Sequence, residues 1–200
     1  MDERDAAARD LERIRTLMER AGKFSHLSAT AAFVAGGLAI AGVLACRAAG
    51  VDFNAAAHAR TLGWIWGSVL LVAVGQGLAF TLVDARRRGD PFWSPMTRQV
   101  AVAMLPALFI GAAVTGFGLQ TGQLQLLPPF WSLAQGSSLI GLGLYSHRRI
   151  QAVGILFLLA GAASLFWGRE SGLAVMLGTF GGGHLVLGAL ILWKRLKSAA

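Results

Sequence analysis

The sequence predicts an all-α, polytopic membrane protein with six transmembrane helices behind an N-terminal amphipathic helix. Three observations predict it: an apolar composition, six hydrophobic runs of membrane-crossing length, and basic residues gathered at alternate ends of those runs. Of the 200 residues, 55% are hydrophobic and 14% charged, against roughly 45–50% and 25% in soluble domains, which excludes a water-soluble globule and a disordered chain. The 26 glycines against five prolines point the same way. Small residues let helices approach closely in lipid, where no hydrophobic force drives them together.

The first element, residues 1–26, reads as a cytoplasmic or interfacial amphipathic helix. Leu11, Ile14, Met18 and Ala21 recur at spacings of three and four, which is one helical face. Asp5 with Arg9, Arg15 with Glu19, and Glu19 with Lys23 stand four apart and support the exposed face by a few tenths of a kcal/mol each. Its charges balance, so it is a poor anchor for anionic lipid by itself. A protein partner docking on this helix is one expectation. Its charge and the length of the apolar run behind it argue against a cleaved signal peptide.

The spans follow at about 27–46, 62–84, 100–119, 126–146, 151–168 and 172–193, each near the roughly 20 residues that cross a bilayer. Together they form a membrane domain over 27–194, leaving a cytoplasmic tail at 195–200. Basic residues fix the orientation. Arg4, Arg9, Arg13, Arg15, Arg20, Lys23, Arg86, Arg87, Arg88, Arg98, Arg148, Arg149, Lys194, Arg195 and Lys197 fall on one side, and only Arg47, Arg60 and Arg169 on the other. The positive-inside rule then puts both termini in the cytoplasm, and the net charge of +8 reads as topology, with no nucleic-acid partner implied. Arg86, Arg87, Arg88, Arg148, Arg149, Lys194 and Arg195 are expected to touch anionic lipid headgroups of the bilayer. Trp64, Trp66, Trp131 and Trp167 at outer ends, with Trp93 and Trp193 at the inner side, fit an interfacial aromatic belt.

The second, fourth and sixth spans share a pattern. Gly75, Gly136 and Gly182 each precede a leucine by three residues, and a basic pair follows about ten residues on: Arg87-Arg88, Arg148-Arg149, Lys194-Arg195. The pattern suggests three repeated helical hairpins. Pro106 within the third span and the Pro128-Pro129 pair of the fourth mark places where the helical ladder breaks or starts late.

Chemistry has little to work with in the apolar interior. Apart from Asp84, at the cytoplasmic end of the second span beside three arginines, no Asp, Glu, Lys or Arg lies there, although proton pumping and intramembrane proteolysis normally need one, so no catalytic residue is expected. Cys46 is the only cysteine, and histidines at 26, 58, 147 and 184 show no zinc-like spacing. No metal and no cofactor is therefore expected. Haem would need a second axial ligand at the depth of His184, and none stands there. His184, after Gly181-Gly182-Gly183, is the one titratable group near the midplane. Counted back from the inner basic pairs at 1.5 Å per residue, Gln76, Gln135, Ser137, Ser138, Thr179 and His184 fall at similar depth. They form the candidate polar site, read either as a hydrogen-bonded clamp between helices or as the lining of a solute path.

The segment Leu11-Glu-Arg-Ile-Arg-Thr-Leu-Met-Glu-Arg-Ala-Gly-Lys-Phe-Ser-His-Leu-Ser28, entering a Gly/Ala-rich span, with Phe180-Gly-Gly-Gly-His-Leu at the far end, resembles a group of six-span bacterial membrane proteins of uncharacterised activity. The resemblance implies an inner (plasma) membrane location and carries no substrate or cofactor. The expected role is a non-enzymatic sensor, regulatory or accessory membrane subunit; the alternative is a small-solute transporter or channel built around His184.

Overall fold

The structure is a computed structural model of the chain. It describes residues 28–89, 91, 93–145, 148–166 and 171–199. The expected amphipathic helix at 1–26 lies outside the described residues, as do His147, Trp167 and Arg169.

Every regular element among the described residues is helical. The six long ones are α1 (Ala29–Ala48), α2 (Ala59–Arg88), α3 (Pro95–Thr121), α4 (Leu127–Tyr145), α5 (Arg148–Phe166) and α6 (172–199). Within α6 the stretch Leu177–Gly183 is a π-helix, set between α-helical Gly172–Met176 and His184–Ala199. Each long helix covers most of one apolar run, and α2, α3 and α6 contain theirs and overrun it into polar flanks. Ser28 Oγ accepts from the Ala31 N–H at 3.2 Å ahead of α1. Ser94 Oγ does the same for Thr97 at 3.2 Å, with Pro95 in the first turn of α3. Gly89 (φ 70°) ends α2 and Gly122 (φ 73°) ends α3 in left-handed caps, a conformation glycine adopts at no steric cost.

Five of the helices are long and apolar enough to cross a membrane. The exception is α4, whose apolar residues are diluted by Pro128, Pro129, Ser132, Gln135, Ser137 and Ser138. At Pro106 the ladder lacks one rung, as expected, but the helix is not interrupted, since α3 runs through it from Pro95 to Thr121. Proline there removes the donor for the Val102 carbonyl, and one residue on, Ser138 Oγ of α4 donates to the Ala103 carbonyl at 2.8 Å. A neighbouring hydroxyl thus serves the backbone beside the proline, the usual condition for tolerating one in a membrane helix. Pro128 and Pro129 sit in the first turn of α4, where no helical N–H is needed.

The most extensive pairing is between α4 and α5; α3 packs on α4, α1 on α6 and α2, and α6 joins the α1 side to α4 and α5. Backbone approach explains the α4–α5 pair. A Cβ built on Gly136 would lie 2.7 Å from the Gly154 carbonyl oxygen, one on Gly154 2.7 Å from that of Gly136, and one on Gly161 2.9 Å from that of Pro129. Glycines seven apart, 136 with 143 and 154 with 161, therefore line both sides of one antiparallel seam. A second close approach joins α1 to α6, where a Cβ on Gly36 would meet the Gly181 oxygen at 3.0 Å. By contrast α2 packs chiefly on α1 and leaves Trp64 and Leu71 about three-quarters exposed, a surface lipid can cover.

Two apolar clusters fill the ends. Val43, Cys46, Phe53, Leu62, Leu124 and Met176 form one, and Ala32, Leu139, Leu142, Ile150, Val153, Phe157 and Leu187 the other. The glycines at the shared position of the even spans have unlike surroundings: Gly136 is clamped, Gly182 has one contact at 3.8 Å, and Gly75 has none within 4 Å. This difference yields a matched test. Gly154→Leu should lower stability by about 1–3 kcal/mol through overpacking, while Gly75→Leu leaves it nearly unchanged or slightly raised. Thermal unfolding in detergent checks this; equal losses would contradict the seam.

Candidate functional site

The π-helical turn of α6 organises the polar interior. Three consecutive glycines, Gly181 to Gly183, have no side chains to crowd a widened turn. Their bareness is used on two sides, because a Cβ on Gly181 would reach Ile40 of α1 at 3.0 Å and one on Gly183 would overlap the Phe157 ring of α5. Where the π turn returns to α-helix, the His184 backbone N–H bonds the Gly181 oxygen. The Phe180 carbonyl is then taken by the His184 ring, with Nδ1 at 3.0 Å. A carbonyl only accepts, so this bond makes Nδ1 the donor and leaves Nε2 as the acceptor in the neutral ring.

Aromatic rings complete the surroundings of His184. Its imidazole stacks on Phe180 at 5.9 Å and 19°, and meets Phe157 edge-on at 5.7 Å and 81°. Phe157 and Phe180 contact each other edge-to-face at 5.6 Å. The three rings tie α5 to α6 through contacts worth about 0.5–1.5 kcal/mol per aromatic pair.

The other five residues of the expected polar site are placed apart from this cluster in bonding. Gln76 Nε2 donates to the Ala31 carbonyl of α1 and to Ala73 of its own helix, both at 3.1 Å. Its Oε1 is buried without a hydrogen-bond partner among the described residues. Ser138 serves Ala103 as described, and Ser137, exposed, bonds back to Leu133 at 3.0 Å. Thr179 Oγ1 donates to the Val175 carbonyl at 2.6 Å and pairs with Ser132 Oγ at 3.2 Å. Gln135 is half-buried and makes no hydrogen bond with the described residues. Among the described residues no hydrogen bond joins any two of Gln76, Gln135, Ser137, Ser138, Thr179 and His184.

Ser132 is the residue that reading the sequence overlooked. It lies in the first half of α4, fully buried, and its bond to Thr179 links α4 to α6. Trp131 beside it also differs from expectation. It is not a belt residue, because its ring fills the space over Gly111, where a Cβ would come within 2.5 Å, and its Nε1–H donates to Thr115 Oγ1 at 3.0 Å. Trp66 likewise turns inward, against Phe53 at 6.2 Å and Val69 beside Gly42.

Outside the membrane-length helices, the 49–58 connection has a small polar knot. Asp52 Oδ1 accepts from the Asn54 backbone N–H at 3.0 Å, Oδ2 from Asn54 Nδ2 at 3.1 Å, and His58 Nδ1 lies 3.1 Å from Oδ1. The Asn54 backbone bond first, then the Asn54 side chain and His58, hold the Asp52 carboxyl below its ordinary value. Phe53 between them is buried, and a Cβ on Gly172 would meet its ring at 3.0 Å, so this knot is fastened to the start of α6.

At the opposite end, Arg149 at the start of α5 and Lys197 near the end of α6 both lie over the Trp193 ring. Arg86, Arg87 and Arg148 are exposed, and the side chains of Arg88, Lys194 and Arg195 lie outside the described atoms. A shallow groove of about 250 Å³ between α3 and α4 is lined by Arg98, Gln99, Val102, Ala103, Gly141 and Leu144, and includes none of the six polar residues. Among the described residues no group of three His, Cys, Asp or Glu converges as metal ligands would. No protein-family model, no curated protein and no solved structure matches the chain.

The chemistry open to these polar groups is hydrogen bonding from helix to helix. A double-mutant cycle on Ser132→Ala and Thr179→Val, read by thermal or denaturant unfolding, should give a coupling of about 0.6 kcal/mol and at most about 1.7. Strict additivity would show that the two hydroxyls do not act together.

Proposed function

We propose that this chain is a six-span protein of the bacterial inner membrane, both termini cytoplasmic, acting as a non-enzymatic sensor, regulatory or accessory subunit. One observation carries the reading: the midplane polar residues are spent on separate contacts between and within helices and do not converge on a common point. Catalysis and solute coordination need convergent groups, whereas a clamp needs only paired ones. The charge distribution supports the cytoplasmic termini, and α4 crosses as a span whose Ser132 and Ser138 bond neighbouring helices. The resemblance of the two ends to six-span bacterial proteins is consistent with this. Signalling then falls to the N-terminal helix, whose apolar stripe of Leu11, Ile14 and Met18 would dock on a partner protein, and to the basic inner face, which meets anionic lipid headgroups.

A second reading, small-solute transport, draws on one feature, the π turn at His184, since such turns recur at functional sites. The two readings separate experimentally. The full chain is tested for thermal shift and proteoliposome uptake against panels of ions, sugars and amino acids, beside His184→Ala. The proposal expects no solute-dependent shift in either protein. A solute that stabilises the chain and loses its effect in His184→Ala would replace the proposal with transport. In parallel, cross-linking in native membranes should give a defined adduct that deletion of residues 1–22 abolishes while the melting of the spans is retained.

A further inference from the structure

A groove of about 250 Å³ opens between the first turns of α3 and the last turn of α4, lined by Arg98, Gln99, Val102, Ala103, Gly141 and Leu144. Val102 and Leu144 are about two-thirds exposed. The space is below the roughly 300–1,000 Å³ of small-molecule pockets, and its apolar walls suit side chains from another helix. Ala32 of α1, Val100 and Ala103 of α3 and Leu142 of α4 join one apolar cluster, so the groove and the start of α1 share one end of the bundle. Ser28 caps α1 there, and residues 1–27 lead into it. Ile14 stands 14 residues before Ser28, about 21 Å along a helix. From α1 across α6 to α4 is two helix spacings, about 16–20 Å, so the tether reaches.

Charge selects the occupant. In the helical reading of residues 1–26, Asp10, Ile14 and Met18 recur every four residues and make one ridge. An acid therefore lies on the apolar side. Pressed into a bilayer surface, that carboxylate would lose water and face anionic headgroups; laid on this groove, it meets Arg98, which is exposed. Asp90 is the one acid between 85 and 126, and 127–166 holds none, so the chain around the groove is basic. We propose that residues 10–18 dock as a helix on this groove, Ile14 seated between Val102 and Leu144 and Asp10 paired with Arg98. The docking rests on reading residues 1–26 as a cytoplasmic amphipathic helix. It keeps the apolar stripe on the bundle until a partner displaces it, which makes the groove the resting site of the signalling helix.

Disulfide trapping in the full chain tests this. In a Cys46→Ala background, Ile14→Cys is combined in turn with Leu144→Cys, Val83→Cys or Leu196→Cys, the last two being exposed apolar positions on the closing turns of α2 and α6. Oxidation in neutral detergent micelles at low salt is followed by mass spectrometry, which separates bonds within one chain from bonds between chains. The expected result is a rapid bond from 14 to 144 within one chain and slow bonds from 14 to 83 and 196. Asp10→Arg or Arg98→Asp alone should slow the 14–144 bond about two- to fivefold, as the loss of one surface ion pair does. The two together should restore the rate, a rescue that a folding defect would not show. No 14–144 bond, equal rates at all three positions, or a 14–144 bond only between chains would overturn the docking. If it fails while the adduct in native membranes still depends on residues 1–22, the partner reading stands; a 14–144 bond without that adduct supports the docking and removes the partner reading.

Discussion

Close backbone approach between helices is the constraint on which this structure depends. In lipid, Leu against Leu gains nothing that Leu against an acyl chain does not, so cohesion must come from dense contact and from polar groups with nowhere else to bond. The seam of Gly136, Gly143, Gly154 and Gly161 between α4 and α5, and the meeting of Gly36 with Gly181 between α1 and α6, supply the first. The second comes from other helix pairs, α4 with α3 and α4 with α6, where short side chains reach across. Ser138 to Ala103 and Ser132 to Thr179 are bonds that only closely spaced helices can make.

The same constraint accounts for the π turn. A helix that must accept Ile40 on one side and the Phe157 ring on another can present only hydrogen atoms at those points, and Gly181 to Gly183 do so. Widening the turn costs helical regularity. One consequence is the capture of the Phe180 carbonyl by His184, which fixes the imidazole between two phenyl rings. His184 is thereby a joint between α5 and α6, with its tautomer set by its own backbone.

Much of the fold was legible from residue order alone. Each of the six apolar runs falls for the most part in a helix, and the capping serines and the glycines after α2 and α3 stand where chain chemistry puts them. Separation along each helix was legible too, because rise per residue is fixed. Rotation about each helix axis was not. Counting rise puts Gln76, Ser138, Thr179 and His184 at similar distances from the basic pairs, yet their bonds run to α1, α3, α4 and their own turn, and this angular information is absent from a list of separations. The seven-residue glycine spacing in the fourth and fifth spans was available in the sequence and pointed to the principal seam. The even-numbered spans also share a glycine position, but those glycines have unlike environments. Trp131 and Trp66 misled for a related reason: tryptophan near a span end satisfies the belt rule whether it faces headgroups or fills the space over a glycine.

Water access at the midplane tests the central claim most directly, namely that these polar groups join helices and do not line an aqueous site. In a Cys46→Ala background, single cysteines at positions 76, 132, 179 and 184 are exposed in intact membranes to a charged, water-soluble thiol reagent, with position 54 in the polar connection as the reactive reference. The account predicts rapid modification at 54 and protection at all four midplane positions. Modification at 132, 179 and 184 at rates near that of 54 would contradict it and would show that water reaches the π turn.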